Sequence, residues 1–168
     1  VKVQNFDKTV LSIPTSKLIT DACRNWRGMK DSGGRRIKRP IHIDMRSIRF
    51  ADEVLLGKFQ RFDLLGDYLQ SKLDEVNAHN QRANTDLSEL VNGRRLTNIG
   101  TFRAYVWQYL RQHPQIRQDM TLLVRPLPPG AEGVPIEIYC FTSTTEWAAY
   151  EDIQADIFDH VLAIVEEF

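Results

Sequence analysis

Long apolar runs are missing from this sequence. No stretch approaches the ~18 to 20 consecutive apolar residues needed to span a bilayer, and the N-terminus lacks the charged, apolar and small-residue regions of a secretory signal. By itself the chain is expected to be soluble. Because it begins at Val1 in mid-pattern, it is also expected to be an excised piece of a longer protein that carries any membrane-embedded part elsewhere. Cysteine is scarce too: only Cys23 and Cys140 occur, far apart, and neither falls in a C-x-x-C or Cys/His ligand spacing. That excludes a zinc motif and a disulfide framework, and a reduced, cytosolic setting is expected. Cys140 shares a period-two face with Ile136 and Ile138, which predicts a buried thiol. The third shortage is of positive charge in the C-terminal part, where no Lys or Arg follows Arg125 while nine Asp or Glu do.

What is present is a globular composition, 42% apolar and 26% charged over 168 residues with formal net charge zero, enough for one ordinary domain or two small ones. Charge is distributed unevenly. Nine Lys or Arg lie between Arg24 and Arg49, so the chain is polarised, and copies with opposite charge at their two ends attract head to tail, a heterologous contact compatible with a closed ring.

Local patterns define the elements. Val10 to Ile13 is a short strand stopped by Pro14, and Ile41-His42-Ile43-Asp44-Met45 restarts a period-two pattern after a polar, basic connector. Asp52 and Glu53 suit the positive end of a helix, and Leu55, Phe59, Phe62, Leu69, Leu73 and Val76 recur at helical spacing, predicting one long helix from about Ala51 to His79. Gly57 and Gly66 weaken it unless a neighbour packs close against them. A polar excursion from Asn80 to Gly100 leads into a second helix, Thr101 to about His113, with Phe102, Tyr105, Val106, Tyr109 and Leu110 as its apolar stripe and Pro114 as its stop. Met120 to Arg125 and Ile136 to Thr142 are two strands joined by a Pro- and Gly-rich loop, expected to pair antiparallel. Ser143 and Glu146 form a candidate capping box ahead of a last helix marked by Tyr150, Ile153, Ile157, Val161 and Ile164. The order β-α-(α)-β-β-α is most of a ferredoxin-like β-α-β-β-α-β domain without its last strand, with a helical insertion at about 80–114.

Chemistry is sparse. His42 and Asp44 share a strand face, but the alternation with Ile41, Ile43 and Met45 describes a half-exposed strand, and His79, His113 and His160 have no second ligand at i+4. No metal, cofactor or catalytic constellation is expected. Ser32-Gly33-Gly34-Arg35-Arg36 and Asn92-Gly93-Arg94-Arg95 could each offer N–H groups and guanidinium charge to a phosphate, or serve as flexible basic turns or interface elements; neither is a P-loop or a G-x-G-x-x-G turn. Trp26, Trp107 and Trp147 are expected largely on core faces, and the aromatic residues are not expected to make the exposed pairs of a nucleic-acid-binding sheet.

Several segments are nevertheless distinctive. Asp7-Lys8-Thr9-Val10-Leu11-Ser12-Ile13-Pro14-Thr15-Ser16-Lys17-Leu18-Ile19, Asn25-Trp26 followed by Arg35-Arg36, and Val91-Asn92-Gly93-Arg94-Arg95-Leu96-Thr97-Asn98-Ile99-Gly100-Thr101-Phe102-Arg103-Ala104-Tyr105 with Pro135-Ile136-Glu137-Ile138-Tyr139 and Ile157-Phe158-Asp159-His160 resemble the cytoplasmic part of the small-conductance mechanosensitive channel family, its larger miniconductance branch in particular. Thr15 stands where the family usually has Asn. The resemblance implies an α+β chain: residues 1–24 as the end of a small Sm-like middle β-domain and 25–168 as a ferredoxin-like vestibule domain. It further implies a tension-gated homoheptamer in the inner membrane, reached through an absent N-terminal transmembrane region, with this part on the cytoplasmic side, ions and small solutes as cargo, and gate residues outside this chain. Arg35, Arg36, Lys38 and Arg39 are then expected to face acidic surface on a neighbouring subunit or to line the vestibule. Nucleic acid is not an expected partner in that setting. The alternative is a soluble ferredoxin-like module binding RNA or an anionic ligand through its basic connector.

Overall fold

The computed structural model describes residues 1–5, 7–22 and 25–168. The expectation for Cys23, and residue 24 where the sequence places the domain boundary, lie outside the described residues. The chain divides into two units, Val1–Ser32 and Gly33–Phe168. Between the units helical geometry persists to Ser32, Gly33 adopts a positive φ of 67°, and paired sheet begins at Arg35.

The first unit holds an antiparallel pair, β1 (Lys2–Gln4) and β2 (Val10–Ser12), followed by two short helices, α1 (Thr15–Thr20) and α2 (Arg27–Ser32). Asp7 tightens the turn between the strands by accepting from the Thr9 amide at 3.0 Å and hydroxyl at 2.6 Å. None of its described residues is buried. A two-stranded hairpin with no core is marginal in water.

The second unit is built on a three-stranded sheet in the order β3-β5-β4, where β3 is Arg35–Ile43, β4 is Leu123–Pro126 and β5 is Val134–Thr142. Both pairings are antiparallel, so β3 and β4 run the same way with β5 between them. The hairpin joining β4 to β5 is the one the Pro- and Gly-rich loop predicts. It closes at Gly133, whose φ is 109° and where a Cβ would run into the Ile43 carbonyl.

Between β3 and β4 the chain forms three helices: α3 (Glu53–Phe59), α4 (Gly66–Arg82) and α5 (Asn98–Gln112). The single helix expected over 51–79 is therefore two. Nothing packs where a Cβ would sit on Gly57 or Gly66, so the glycines cost helix stability without a packing return. The chain turns before Gly66 in steps closed by Phe62 N–H to Phe59 O and Leu65 N–H to Phe62 O. Leu65 is fully buried as a result. Asp52 caps α3 as its position predicts, accepting from the Leu55 amide at 2.8 Å.

The helix inside the expected insertion also changes role. Phe102, Val106 and Leu110 of α5 lie in the same core as Ile37, Ile41, Ile136, Ile138 and Cys140 of the sheet, which makes α5 the crossover helix. Instead α3 and α4 form the added layer, around Leu55, Phe59, Leu65, Leu69, Val76 and Leu96. An amphipathic stripe shows that a helix is covered but not by what, and here α5 rather than the first helix meets the sheet. Helix α6 (Trp147–Ile164) covers the same sheet face through Tyr150, Ile153, Ile157, Phe158 and Val161. Its cap is Glu146, which accepts from the Ala149 amide at 2.7 Å. The expected Ser143 capping box does not form, because β5 runs through Thr142 and Ser143 is still leaving the strand, its amide bonded to Gln115 O.

Phe168 joins the two cores. Its ring stacks on Phe59 at 5.1 Å and meets Phe62, Phe102 and Tyr105 at 5.5, 5.4 and 5.5 Å. Replacing it removes a contact to both layers at once: Phe168→Ala is expected to lower stability by about 2–3 kcal/mol, read as a lower urea midpoint. Cys140 is 0% exposed, and burial pushes its thiol up to about 12. In a Cys23→Ser background, native protein is expected to resist a thiol-specific reagent until denaturant is added; immediate stoichiometric labelling would contradict this placement.

Candidate functional site

Strand periodicity decides where the four predicted basic residues go. Successive side chains on β3 alternate between sheet faces, so Arg35 and Arg39 share the helix-covered face with Ile37 and Ile41, whereas Arg36 and Lys38 project from the other. Arg35 places its guanidinium 4.2 Å from the Trp147 ring and 4.5 Å from the Tyr150 ring, both on α6, and Arg39 lies 4.6 Å from Phe158 on the same helix. These two are cation–π clamps between sheet and helix. The four residues do not form one patch.

On the open face, Arg36 stands 5.6 Å from the Tyr139 ring, and Tyr139 meets Phe141 edge-on at 5.8 Å. A half-buried aromatic pair thus occupies the open sheet face. The alternation along β5 contains this signal, since positions 139 and 141 share parity with Glu137. That carboxylate is 3% exposed. Arg125 from β4 donates to its Oε1 through Nε at 3.0 Å and Nη2 at 2.7 Å, and Lys38 from β3 lies 3.9 Å from Oε2. A buried carboxylate needs such partners, and here each flanking strand supplies one.

These contacts also fold much of the chain's charge polarity onto itself. Basic β3 is paired to β5 and packed on α6, Lys58 reaches Glu167 at 2.7 Å, and His42 lies 3.6 Å from Glu132. His42 and Asp44 do not meet as a pair, because Asp44 turns to cap the 3-10 turn Met45–Ser47 and to bind Arg46 at 3.1 Å. Among the described residues, no three of His, Cys, Asp and Glu converge as metal ligands. Trp26, Trp107 and Trp147 are exposed, not on core faces as expected; Trp147 lies under Arg35 and Trp107 under Arg111.

The second basic motif, Asn92-Gly93-Arg94-Arg95, is fixed in place. Asn80 of α4, itself buried, donates to Arg94 O at 2.9 Å and accepts from Arg94 N at 2.8 Å. Gly93 has φ 72°, and a Cβ there would strike Leu87 and Asn80. The Arg94 side chain binds Glu75 at 2.7 Å, and Arg95 folds back to the Leu87 carbonyl at 2.7 Å. This is a built loop, not a flexible turn.

With α5, β4, β5 and α6 in place, the comparison with known proteins covers the same elements. Residues 99–168 match the family described as mechanosensitive ion channel MscS, C-terminal. The C-terminal part of this chain is thus similar to the C-terminal region of that channel family. A relative of this region is the low conductance mechanosensitive channel YnaI of Escherichia coli (strain K12), 35% identical over 68 residues, which is 40% of this chain and 20% of that protein. The chain thus spans about a fifth of the length of the relative it matches. The matched region contains Tyr139, Glu137 and the α6 partners of Arg35 and Arg39, but β3 itself lies before it.

The division of β3 by parity predicts unequal stability effects. Arg35→Ala and Arg39→Ala are each expected to cost about 0.5–1.5 kcal/mol through lost cation–π contact. Arg36→Ala on the open face is expected to stay within about 0.5 kcal/mol of the parent. Urea unfolding with unchanged slope measures all three, and equal losses would contradict the division.

Proposed function

We propose that this chain is the cytoplasmic vestibule portion of a membrane-tension-gated ion channel that releases ions and small solutes on hypoosmotic shock. The single observation that carries this reading is the MscS C-terminal match over residues 99–168, a family of ion channels rather than enzymes. The strand order supports it: β5 between two strands of like direction is the arrangement of a ferredoxin-like domain without its last strand. The first unit then corresponds to the end of an Sm-like β-domain, and its exposed Val10 and Leu11 suit strands that are completed by chain or subunits outside this sequence. In the full-length protein, subunits assemble as a homoheptamer in the inner membrane with this portion on the cytoplasmic side. Tension favours the open state through its larger in-plane area. Of the predicted basic residues, Arg36 and Lys38 face solutes or a neighbouring subunit, while Arg35 and Arg39 hold α6 to the sheet.

A second reading draws on the Tyr139–Phe141 pair beside Arg36, a stacking surface of the kind used for single-stranded RNA. Under it, affinity for RNA falls steeply with salt.

Patch-clamp recording of the full-length parent decides between them, in spheroplasts that lack their own mechanosensitive channels, as suction is ramped. Reproducible tension-gated steps absent from vector controls are expected. Silence up to membrane rupture, with surface expression confirmed, would overturn the channel reading.

A further inference from the structure

A cavity of about 480 Å³ opens to solvent between α4, the loop at 83–97 and α5. Its wall carries Lys72, Arg94, Arg95 and Arg103, with the rings of Tyr68 and Trp107 beside them and Leu96 among its apolar residues. No acidic residue lines it. Among the described residues, the one carboxylate paired with these cations is Glu75, shared between Lys72 at 2.6 Å and Arg94 at 2.7 Å. Arg95 and Arg103 have no carboxylate partner among the described residues: Arg95 Nη2 donates to the carbonyls of Leu87 and Glu89 at 2.7 and 3.3 Å, and Arg103 Nε reaches the Val124 carbonyl only at 3.4 Å. The Arg95 Nε–H is buried with no acceptor at all.

Concentrating like charge in a concave site costs free energy unless an anion occupies it. The cations here are also held in place. The Arg94 guanidinium is held by Glu75 while Asn80 clamps its backbone beside the positive-φ Gly93, the Arg95 guanidinium is held by its carbonyl contacts, and Arg103 Nε is turned to the Val124 carbonyl. Guanidinium groups offer paired donors that match phosphate oxygens. Trp107, 39% exposed at the rim, adds a flat π surface that a simple inorganic anion does not use. A cavity of this size with guanidinium groups and apolar side chains in its wall fits a molecule with a planar ring at one end and phosphoryl groups at the other.

We propose that this cavity binds a nucleoside phosphate, its phosphoryl oxygens on Arg94, Arg95 and Arg103 and its base against Trp107. The site is separate from strand β3 and does not depend on the channel reading. Binding joins α4 to α5 across the loop and thereby rigidifies the layer outside the sheet.

Isothermal calorimetry and tryptophan fluorescence on this chain test the assignment with ADP, adenosine and inorganic pyrophosphate as probes at physiological salt. ADP is expected to bind one-to-one and quench fluorescence, with adenosine and pyrophosphate each weaker by at least about tenfold, since each lacks one end of the ligand. Arg103→Gln and Trp107→Leu are each expected to weaken ADP by about tenfold or more with an unchanged circular dichroism spectrum. Lys72→Gln, at a half-buried position of the cavity wall outside both hydrophobic clusters, provides a variant that keeps the fold should Arg103→Gln not, and is expected to weaken ADP measurably. Absence of ADP binding, pyrophosphate binding as tightly as ADP, or ADP affinity unchanged in Lys72→Gln and Trp107→Leu would each overturn the proposal.

Discussion

The second unit depends on strand β5 being paired along both edges. Every residue from Val134 to Thr142 faces a partner on β3, and the Tyr139 to Ile136 stretch also faces β4. A central strand has no exposed backbone to satisfy with water, so its period-two alternation can be used fully. One face supplies Ile136, Ile138 and Cys140, all wholly buried, as the platform for α5 and α6. The other supplies Glu137, which binds Lys38 and Arg125 from the two flanking strands. Hydrophobic burial on one side and ion pairing on the other thus fix the same register.

That register explains why charge counted along the sequence describes the folded chain poorly. The basic N-terminal stretch and the acidic C-terminal stretch sit far apart in sequence, yet β3 lies beside β5 and beneath α6. Cations that look available for a partner are partly committed: Arg35 and Arg39 to aromatic rings, Lys38 to a buried carboxylate, Lys58 to Glu167. What remains outward on the sheet is narrower and more aromatic than the composition suggests.

Much of this was legible in the residues themselves. The β4–β5 hairpin, the apolar stripes of α5 and α6, the buried Cys140 and the Asp52 cap all follow from local spacing and chemistry. The division of Arg35 and Arg39 from Arg36 and Lys38 follows equally from strand parity. Other features were not legible, for identifiable reasons. Leu55, Phe59, Phe62 and Leu69 keep helical spacing across a break, so periodicity alone does not reveal the turn before Gly66. The crossover role of α5 is set by which apolar face meets the sheet, a property of tertiary packing. The cationic cavity draws residues 72, 94, 95, 103 and 107 from two helices and a loop, and no window of sequence contains that arrangement.

The ring of Phe168 has a mechanical consequence. It touches the sheet-bound helix through Phe102 and the outer layer through Phe59, so together with Tyr105 it rivets the two hydrophobic clusters to each other. Fluctuations that open the α3–α4 layer therefore have to loosen the end of the segment that follows α6, and amide exchange in the two layers is coupled where separate cores would exchange independently. A force or a partner acting on residues near the C-terminus is transmitted to the helices farthest from the sheet.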